Sequence, residues 1–429
     1  MRKRVTAGTG ALGALLALPA AAQAENFKVT NLNEDGAGSL RNAIEQANAD
    51  PDADRILFNS KLSGTISTGG NQLSVNYPLQ IRGPGARQLT VSAANDARVF
   101  NVATDFGADV TISGLRMRDG DVLGGSGGGL INVYADLTLS RVAIVGNTAS
   151  NVGGGVFNFE GRLTVADSTV SGNTAESQAG NGGGGIYNSG GAELTVLNST
   201  VSGNRVFEQD GGGVYNNDFG QMAIRNSTIV NNSAEDDGGG VYADGATELR
   251  ATIVANNEAG SAAPDVLVGN SGPFDAAFSL IEDPQTDGDP LPAATNIIDQ
   301  DPNLKPLANN GGPTNTHAFK KSPARNKVPK SESEKKDQRG APRKGKGDIG
   351  AYELTKCEGV IVNRIGTAKK DTLKGTKRKD GILGLGGNDR LQGKKGRDGL
   401  CGGKGKDKLK GGPGKDKLDG GPGKDKEIQ

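Results

Sequence analysis

Short segments in which apolar and polar residues alternate recur along the middle of the chain. Clear examples are residues 163–173, 194–204 and 222–232, with the sequences LTVADSTVSGN, LTVLNSTVSGN and MAIRNSTIVNN. Alternation with a period of two places every second side chain on one face, which is typical of a β-strand with one buried face. Each segment ends in glycine or asparagine, so the pattern predicts short strands separated by turns.

A triple glycine precedes each of these units and gives the repeat its period. The triplets begin at Gly127, Gly153, Gly183, Gly211 and Gly238, which are 26, 30, 28 and 27 residues apart. A period of this length built from strands predicts a solenoid whose coils pair in parallel, with equivalent residues stacked. The predicted stacks are Leu130, Val156, Ile186, Val214 and Val241; Ile131, Phe157, Tyr187, Tyr215 and Tyr242; and Asn147, Asn173, Asn204, Asn232 and Asn257.

The N-terminal region carries two further signals. Residues 1–24 combine the basic start MRKR, an apolar stretch and the small-residue sequence AQA, which predicts a secretory signal peptide with Glu25 as the first mature residue. Residues 39–48 have apolar positions at helical spacing, which predicts a short helix that caps the solenoid. Its buried face would consist of Leu40, Ala43, Ile44 and Ala47. No later apolar run is long enough to span a bilayer.

Charge is strongly segregated, although the formal net charge is zero. Residues 25–319 carry 15 Lys and Arg against 34 Asp and Glu, a net charge of −19, whereas residues 320–347 and 356–429 together carry +18. We expect the basic segments to hold the acidic body at an anionic cell envelope or extracellular polymer, polysaccharide included. The competing interpretation is that the tail folds back on its own acidic body. We expect no nucleic-acid partner.

Three segments resemble parts of known secreted proteins. GSLRNAIEQAN is similar to the CSLREA-type N-terminus of bacterial β-helix proteins, although Gly38 replaces its cysteine. The GGGVYN-like units resemble the right-handed parallel β-helix of pectate-lyase-like proteins and polymorphic outer-membrane proteins. DPNLKPLANNGGPTNTHAF and DQRGAPRKGKGDIGAYE are similar to the choice-of-anchor Q module. These resemblances imply an all-β, right-handed parallel β-helix over residues 25–319, then a basic linker and the end of the anchor module over 320–355.

A nine-residue repeat fills the C-terminal region. Glycine recurs from Gly366 to Gly420 and aspartate from Asp371 to Asp425, each at intervals of nine residues. The pattern resembles GGxGxDxUx, the RTX (hemolysin-type) calcium-binding nonapeptide. The resemblance implies a short parallel β-roll over residues 356–429, in which aspartates 18 residues apart face one another across Ca²⁺. The predicted ligands are Asp371, Asp380, Asp389, Asp398, Asp407, Asp416 and Asp425.

The lysines of the repeat complicate this prediction. Lysine flanks Asp407, Asp416 and Asp425 on both sides, and its field opposes a divalent ion. Strand alternation should direct lysine outward and aspartate inward. We therefore expect a weak, extracellular-type site with a Kd of about 10⁻⁴ to 10⁻³ M. The alternative is that lysine neutralises the aspartates and no metal binds. The repeats that begin at Gly366 and Gly375 also lack the second and fourth glycines.

Three side chains outside the aspartate series remain. Cys357 and Cys401 are the two cysteines of the chain, and in an oxidising exterior they should form a disulfide. The single histidine, His317, has no recognisable nucleophile or metal partner nearby in sequence, so we predict a structural role for it.

The function predicted from these features is that of a secreted or cell-surface structural or adhesion-type protein, with calcium-binding repeats and electrostatic retention. The alternative is a polysaccharide lyase or glycoside hydrolase, because enzymes that share this fold use clustered acids. Asp236 and Asp237 are weak catalytic candidates, with Glu208 and Asp210 one coil earlier. The simpler interpretation is that they are solvated loop acids. Fold alone does not decide between these functions.

Overall fold

The computed structural model describes residues 24–176, 182–261, 263–286, 291 and 294–429, so the predicted signal peptide lies outside the described residues except for Ala24. The described strands between Asn26 and Ile298 form a parallel β-helix, in which each strand pairs with the equivalent strand one coil away. The coils between Asp54 and Thr286 each add one strand to each of three long sheets, and the middle coils add a short strand to a fourth. The predicted parallel solenoid is confirmed.

The described strands of the β-helix form four sheets. The first contains Asn26–Val29, Asp54–Phe58, Leu79–Arg82, Asp109–Ser113, Asp136–Ser140, Arg162–Ala166, Glu193–Leu197, Gln221–Arg225, Ala246–Arg250 and Phe274–Ala277. The second contains Gly64–Ser67, Leu89–Ser92, Arg116–Arg118, Ala143–Val145, Thr169–Ser171, Thr200–Ser202, Thr228–Val230, Ile253–Ala255, Leu280–Ile281 and Ile297–Ile298. The third contains Leu73–Val75, Phe100–Ala103, Leu130–Val133, Val156–Phe159, Ile186–Ser189, Val214–Asn216, Val241–Ala243, Val266–Val268 and Pro284–Thr286. The fourth contains Asp121–Val122, Thr148–Ala149, Thr174–Ala175, Arg205–Val206, Ser233–Ala234 and Glu258–Ala259.

Equivalent apolar residues stack inside the β-helix, as the repeat predicts. Val156 pairs with Ile186 in the third sheet, and Leu163 pairs with Leu194 in the first. These side chains belong to one apolar core that runs through the described coils. On the outer face of the third sheet, the rings of Tyr187, Tyr215 and Tyr242 stack with centroids 5.0 and 4.6 Å apart. Every coil therefore buries its apolar face against its neighbours, which is how a glycine-rich chain with few aromatic residues forms a core.

Two columns of asparagine hydrogen-bond from coil to coil. In the predicted column, Asn204 Nδ2 donates to Asn232 Oδ1 over 2.8 Å, and the other members repeat this bond over 2.8 to 2.9 Å. Asp265 accepts the last amide, that of Asn257, over 2.8 Å. A second column, not predicted, consists of Asn132, Asn158, Asn188 and Asn216. Because an amide both donates and accepts, each asparagine satisfies the next.

The predicted cap helix is present at Leu40–Ala47. Its first turn is capped by Ser39, whose hydroxyl oxygen accepts a hydrogen bond from the Asn42 N–H over 3.1 Å. The four predicted apolar residues are buried and pack against the first coils. None of the described residues belongs to a helix with the length and apolarity needed to cross a membrane.

Residues 304–354, here called the strap, run along the outer face of the second sheet. The Thr200 hydroxyl donates to Gln338 Oε1 over 2.6 Å, and Asn198 Nδ2 donates to the Lys336 carbonyl over 2.8 Å. Apolar residues of the strap also pack against the sheet, including Val328 and Ile349. Both faces of Thr200–Ser202 are buried as a result. The boundary that the sequence suggested at residue 320 falls within the strap.

The roll follows the strap and is made of two parallel sheets. One contains Lys356–Cys357, Val360–Ile365, Gly381–Leu383, Gly399–Cys401 and Lys417–Asp419, the first of which pairs antiparallel. The other contains Thr372–Lys374, Arg390–Gln392, Lys408–Lys410 and Lys426–Ile428. Arg339 of the strap joins the two regions, because its fully buried guanidinium donates to the Val362 carbonyl and pairs with Asp337 over 2.8 Å.

Candidate metal centre in the C-terminal roll

Two nonapeptides form one turn of the roll, so equivalent residues lie 18 positions apart. Arg390–Gln392 pairs with Lys408–Lys410, and Gly381–Leu383 pairs with Gly399–Cys401. Apolar residues from both sheets form a small core of Ile382, Leu391, Leu400 and Leu409. This core is much smaller than that of the β-helix, so polar side chains decide more of the structure in the roll.

The aspartates of the repeat form hydrogen-bonded columns between turns. Oδ1 of Asp398 accepts the backbone N–H of Asp380 over 2.8 Å, and Oδ1 of Asp407 accepts that of Asp389 over 2.7 Å. The same bond joins Asp371 to Asp389, Asp398 to Asp416, and Asp407 to Asp425. One oxygen of each of these five later carboxylates is therefore used to hold the turn before it.

The second oxygen has no protein partner in four of these carboxylates. Oδ2 is buried and without a hydrogen bond in Asp389, Asp398, Asp407 and Asp416. These residues are only 1, 1, 3 and 9% exposed. Burial, together with repulsion from carboxylates one turn away, raises the pKa of Asp389, Asp398 and Asp407. An unpaired buried carboxylate oxygen is costly, and a cation would remove that cost.

The space beside these oxygens suits a hard cation. A Cβ added at Gly393 would overlap Asp398 Oδ2 and would lie 2.8 Å from the Gly411 carbonyl oxygen. The first glycine of the following repeat, Gly402, has the same surroundings, with Asp407 Oδ2 and the Gly420 carbonyl oxygen. Calcium takes six to eight oxygen ligands, carboxylates and carbonyls among them. Among the described residues, no three His, Cys, Asp or Glu side chains form a metal-binding group, so backbone carbonyls would have to supply most of the ligands.

The remaining predicted ligands differ from this group. In Asp371 and Asp380, Oδ2 accepts hydrogen bonds from the N–H and hydroxyl of Thr367 and Thr376, respectively. Asp425 lies in the last repeat and is partly exposed. The repeat pattern did not predict the two threonines as partners, although each occupies the position of the motif's second glycine, which these two repeats lack.

The lysines point away from these carboxylates. Lys406, Lys408, Lys415 and Lys417 are exposed, whereas Asp407 and Leu409 between them are buried. Strand pairing places Arg390, Lys408 and Lys426 next to one another on successive turns. Paired strands lie about 4.8 Å apart, so the roll presents closely spaced rows of positive charge. This is the orientation that strand alternation predicted.

The cysteines lie at the start of the roll. Cys357 and Cys401 form a disulfide with their Cα atoms 5.9 Å apart. Cys357 is buried beside Val362 and Ala341 of the strap. The disulfide therefore fastens the strand Gly399–Cys401 to the segment that enters the roll.

The weak catalytic candidates of the β-helix lie in loops between coils. Asp210 Oδ1 accepts the backbone N–H of Asp237 over 2.8 Å, and burial raises the pKa of Asp210. Asp236 is exposed, and its carbonyl accepts the N–H of Ser261 over 3.1 Å. Glu208 is also exposed, and its N–H donates to Glu235. Among these contacts, Asp210 uses its carboxylate, whereas Asp236, Asp237 and Glu208 take part through backbone atoms.

His317 is buried in the strap and hydrogen-bonded on both ring nitrogens. Nδ1 lies 2.7 Å from the Lys305 carbonyl, and Nε2 lies 2.8 Å from the Ser202 hydroxyl. A carbonyl only accepts, so Nδ1 carries the proton and Nε2 accepts from Ser202. Burial lowers the pKa of the ring, which favours this neutral form. The contacts agree with a structural role.

The aspartate columns, the free buried oxygens and the glycine turns correspond to one known repeat. Residues 365–400 and 402–426 match the RTX calcium-binding nonapeptide repeat. The repeats of this roll are therefore of the calcium-binding type. No curated protein matches the sequence of the chain.

Two solved structures resemble the chain at low identity. The crystal structure of pectate lyase Pel9A is similar over 77% of this chain and 97% of its own, with 14% identity and a TM-score of 0.44. The PL6 family alginate lyase AlyGC is similar over 92% of this chain and 71% of its own, with 10% identity and a TM-score of 0.21. These values say nothing about chemistry, and the β-helix is established by its strand pairing.

Proposed function

We propose that the protein is a secreted, non-enzymatic β-helix whose calcium-folded basic roll holds it at an anionic cell envelope or extracellular polymer. The observation that carries the proposal is the exposed lysine on successive turns of the roll, next to an acidic body. Calcium would be held by the aspartates whose Oδ2 is free, with carbonyl oxygens of the glycine turns. Its charge would balance buried carboxylates and so stabilise the turns that display the lysines.

Two features support the extracellular part of the proposal. The predicted signal peptide at residues 1–24 and the disulfide between Cys357 and Cys401 both suit export to an oxidising environment. An affinity of about 10⁻⁴ to 10⁻³ M would also suit an extracellular calcium site, since such calcium is far more abundant than cytosolic calcium.

Retention would depend on many weak contacts acting together. A single exposed ion pair contributes only about 0.2 to 1 kcal/mol. A rigid array that neutralises many fixed charges gains affinity collectively, and this affinity falls with salt because the Debye length shrinks from about 10 Å at 0.1 M to about 3 Å at 1 M. Retention should therefore require both a folded roll and low salt.

The test removes charge without removing the roll. Lys406, Lys408, Lys415 and Lys417 would be changed together to Gln, and binding to anionic polysaccharide beads and to cells would be measured at 0.1 and 1 M NaCl. A matched control changes four exposed strap lysines, Lys320, Lys321, Lys327 and Lys330, to Gln. We expect at least a tenfold loss of binding for the roll variant and a smaller loss for the control. Equal losses would attribute retention to net charge alone.

A second comparison separates retention from contact with the protein's own body. A chain truncated after Leu354, checked by circular dichroism for an intact β-helix, should leave the beads or cells at 0.1 M NaCl. If it stays bound as well as the full chain, and 1 M NaCl releases neither, the roll is not the anchor.

The alternative is a polysaccharide lyase or glycoside hydrolase, with Asp236 and Asp237 as the candidate acids. Their neighbour Asp210 uses one carboxylate oxygen to hold the Asp237 N–H, and Asp236 contacts Ser261 through its backbone carbonyl. The direct test is a screen of acidic and neutral polysaccharides with the wild type and an Asp236→Asn, Asp237→Asn double variant. Cleavage by the wild type that the double variant loses would favour the enzyme.

A further inference from the structure

The first turn of the roll differs from the later turns in how it satisfies its carboxylates. Thr367 N–H and hydroxyl lie 2.6 and 2.9 Å from Asp371 Oδ2, and the same atoms of Thr376 lie 2.6 and 2.8 Å from Asp380 Oδ2. The other oxygen of Asp380, Oδ1, accepts a hydrogen bond from Asn363 Nδ2 over 3.0 Å. Both oxygens of this buried carboxylate are therefore bound by protein donors.

The backbone explains why only this turn can do so. In later repeats the second residue has a left-handed conformation, with φ of 79° at Lys394 and 101° at Gly403. There its N–H donates to the carbonyl of a glycine on the next turn, Gly411 or Gly420, over 2.9 and 3.0 Å. The two threonines are outside that conformation and direct the N–H to the carboxylate instead. A β-branched residue avoids positive φ, so the substitution of glycine by threonine changes the hydrogen bond.

We infer that Thr367 and Thr376 take the place of a metal ion in the first turn, so that calcium binding begins only at Asp389 and the repeats after it. This inference rests on the calcium part of the proposed function and concerns where the ions lie. Two neutral donors on one carboxylate oxygen provide the stabilisation that a cation provides at the free Oδ2 atoms.

The first turn is also the part of the roll that is held by the rest of the protein. Arg339 of the strap donates over 3.3 Å to the carbonyl of Val362, whose strand pairs with Gly381–Leu383 of the first turn. The roll therefore has a metal-independent base attached to the β-helix and a calcium-dependent extension. Calcium would order the extension outward from a template that is already folded.

A matched pair of substitutions tests the position of the ions. Asp380 and Asp398 are both 1% exposed and occupy equivalent positions one turn apart. Bound calcium in the full-length protein would be counted by native mass spectrometry and by competition with a fluorescent chelator. We expect Asp398→Asn to bind at least one ion fewer than the wild type, and Asp380→Asn to bind the same number. Loss of an ion from Asp380→Asn as well would overturn the inference while leaving a calcium-binding roll in place.

A second measurement removes the hydrogen bond from the Thr376 hydroxyl to Asp380 and does not depend on counting ions. Hydrogen exchange in excess chelator should show protected amides in Gly381–Leu383 and rapid exchange in Lys408–Lys410. Thr376→Val, which lacks the hydroxyl, should lose protection in Gly381–Leu383, and Thr376→Ser should keep it. Equal exchange in both strands of the wild type contradicts the inference. A wild type that binds no calcium at 10 mM overturns both this inference and the calcium part of the proposed function.

Discussion

The β-helix and the roll are both parallel solenoids with a column of polar side chains at a turn, but the columns differ in one atom. In the β-helix the column is asparagine, and each amide donates to the next over 2.8 to 2.9 Å. In the later turns of the roll it is aspartate, and each of Asp389, Asp398, Asp407 and Asp416 accepts one backbone N–H with Oδ1 while its Oδ2 has no hydrogen-bond partner. An amide both donates and accepts, so the asparagines satisfy one another, whereas a carboxylate only accepts and leaves a buried oxygen that a cation would satisfy.

The two regions also differ in how much core supports the column. The β-helix has one long apolar core through its described coils, whereas the roll has two small apolar clusters, one around Leu400 and one around Val362 at its attachment to the strap. A small core supplies little stability. We therefore expect the β-helix to stay folded without calcium and the roll to depend on calcium for its stability.

The largest structural change is expected from removing calcium. A ligand that binds only the folded state at 100 times its Kd stabilises that state by about 2.7 kcal/mol. In excess chelator, trypsin should therefore cleave the full-length protein within residues 384–429 and leave the β-helix intact. Asp407→Asn with Asp425→Asn should raise the calcium concentration needed for protection. Unchanged cleavage between zero and about 10 mM Ca²⁺ would favour the alternative in which lysine neutralises the aspartates.

An acid placed in the asparagine column should leave a buried, unsatisfied carboxylate in the β-helix and so lower its stability. Asn204→Asp removes the donor to Asn232 Oδ1 and to the Val170 carbonyl and leaves an uncompensated buried charge. We expect a loss of about 3 to 5 kcal/mol in the free energy of unfolding at pH 7. Asn231→Asp, at the exposed neighbouring position, is the control and should behave like the wild type in thermal melting.

The disulfide should matter to the roll and leave the body unaffected. It links residues 44 positions apart, and closing such a loop contributes about 2 to 4 kcal/mol. Cys357→Ser with Cys401→Ser should therefore increase the calcium needed to protect the roll from trypsin, without changing melting of the β-helix. Two free thiols in the exported wild type, counted in denaturant without reductant, would contradict the prediction.

The smallest effect concerns the acid that ends the asparagine column. Burial raises the pKa of Asp265 to about 6 from 3.8. A raised folded-state pKa means that the folded protein binds the proton more tightly than the unfolded chain. Protonation of Asp265 therefore stabilises the fold below about pH 4, and this stabilisation, at most about 3 kcal/mol, is lost as the pH rises to about 6. Melting temperatures of Asp265→Asn relative to the wild type should rise from pH 4 to 7. Asp35→Asn, in an exposed loop, should show no such trend.

Much of this architecture could be predicted from local patterns. Alternation and the recurring triple glycine predicted the parallel coils, and the stacked positions of Asn204 and Tyr215 followed from the period alone. The helix Leu40–Ala47 was predicted from its apolar spacing. Such features repeat or are local, so each copy supports the same assignment. The nonapeptide also identified the aspartates and glycines of the roll, because their spacing is strict.

The sequence by itself thus determined the coils, the roll, the asparagine column that contains Asn204 and the aspartate columns, since a solenoid turns sequence period directly into spatial contact. Only the tertiary structure decided which partner each polar atom has. It showed that the strap covers the second sheet through Gln338, that Arg339 joins strap to roll, and that Thr376 satisfies Asp380 while Asp398 keeps a free oxygen. The first two are contacts between distant segments with no shared period. The third depends on a backbone conformation that changes where one N–H points, which residue spacing does not encode.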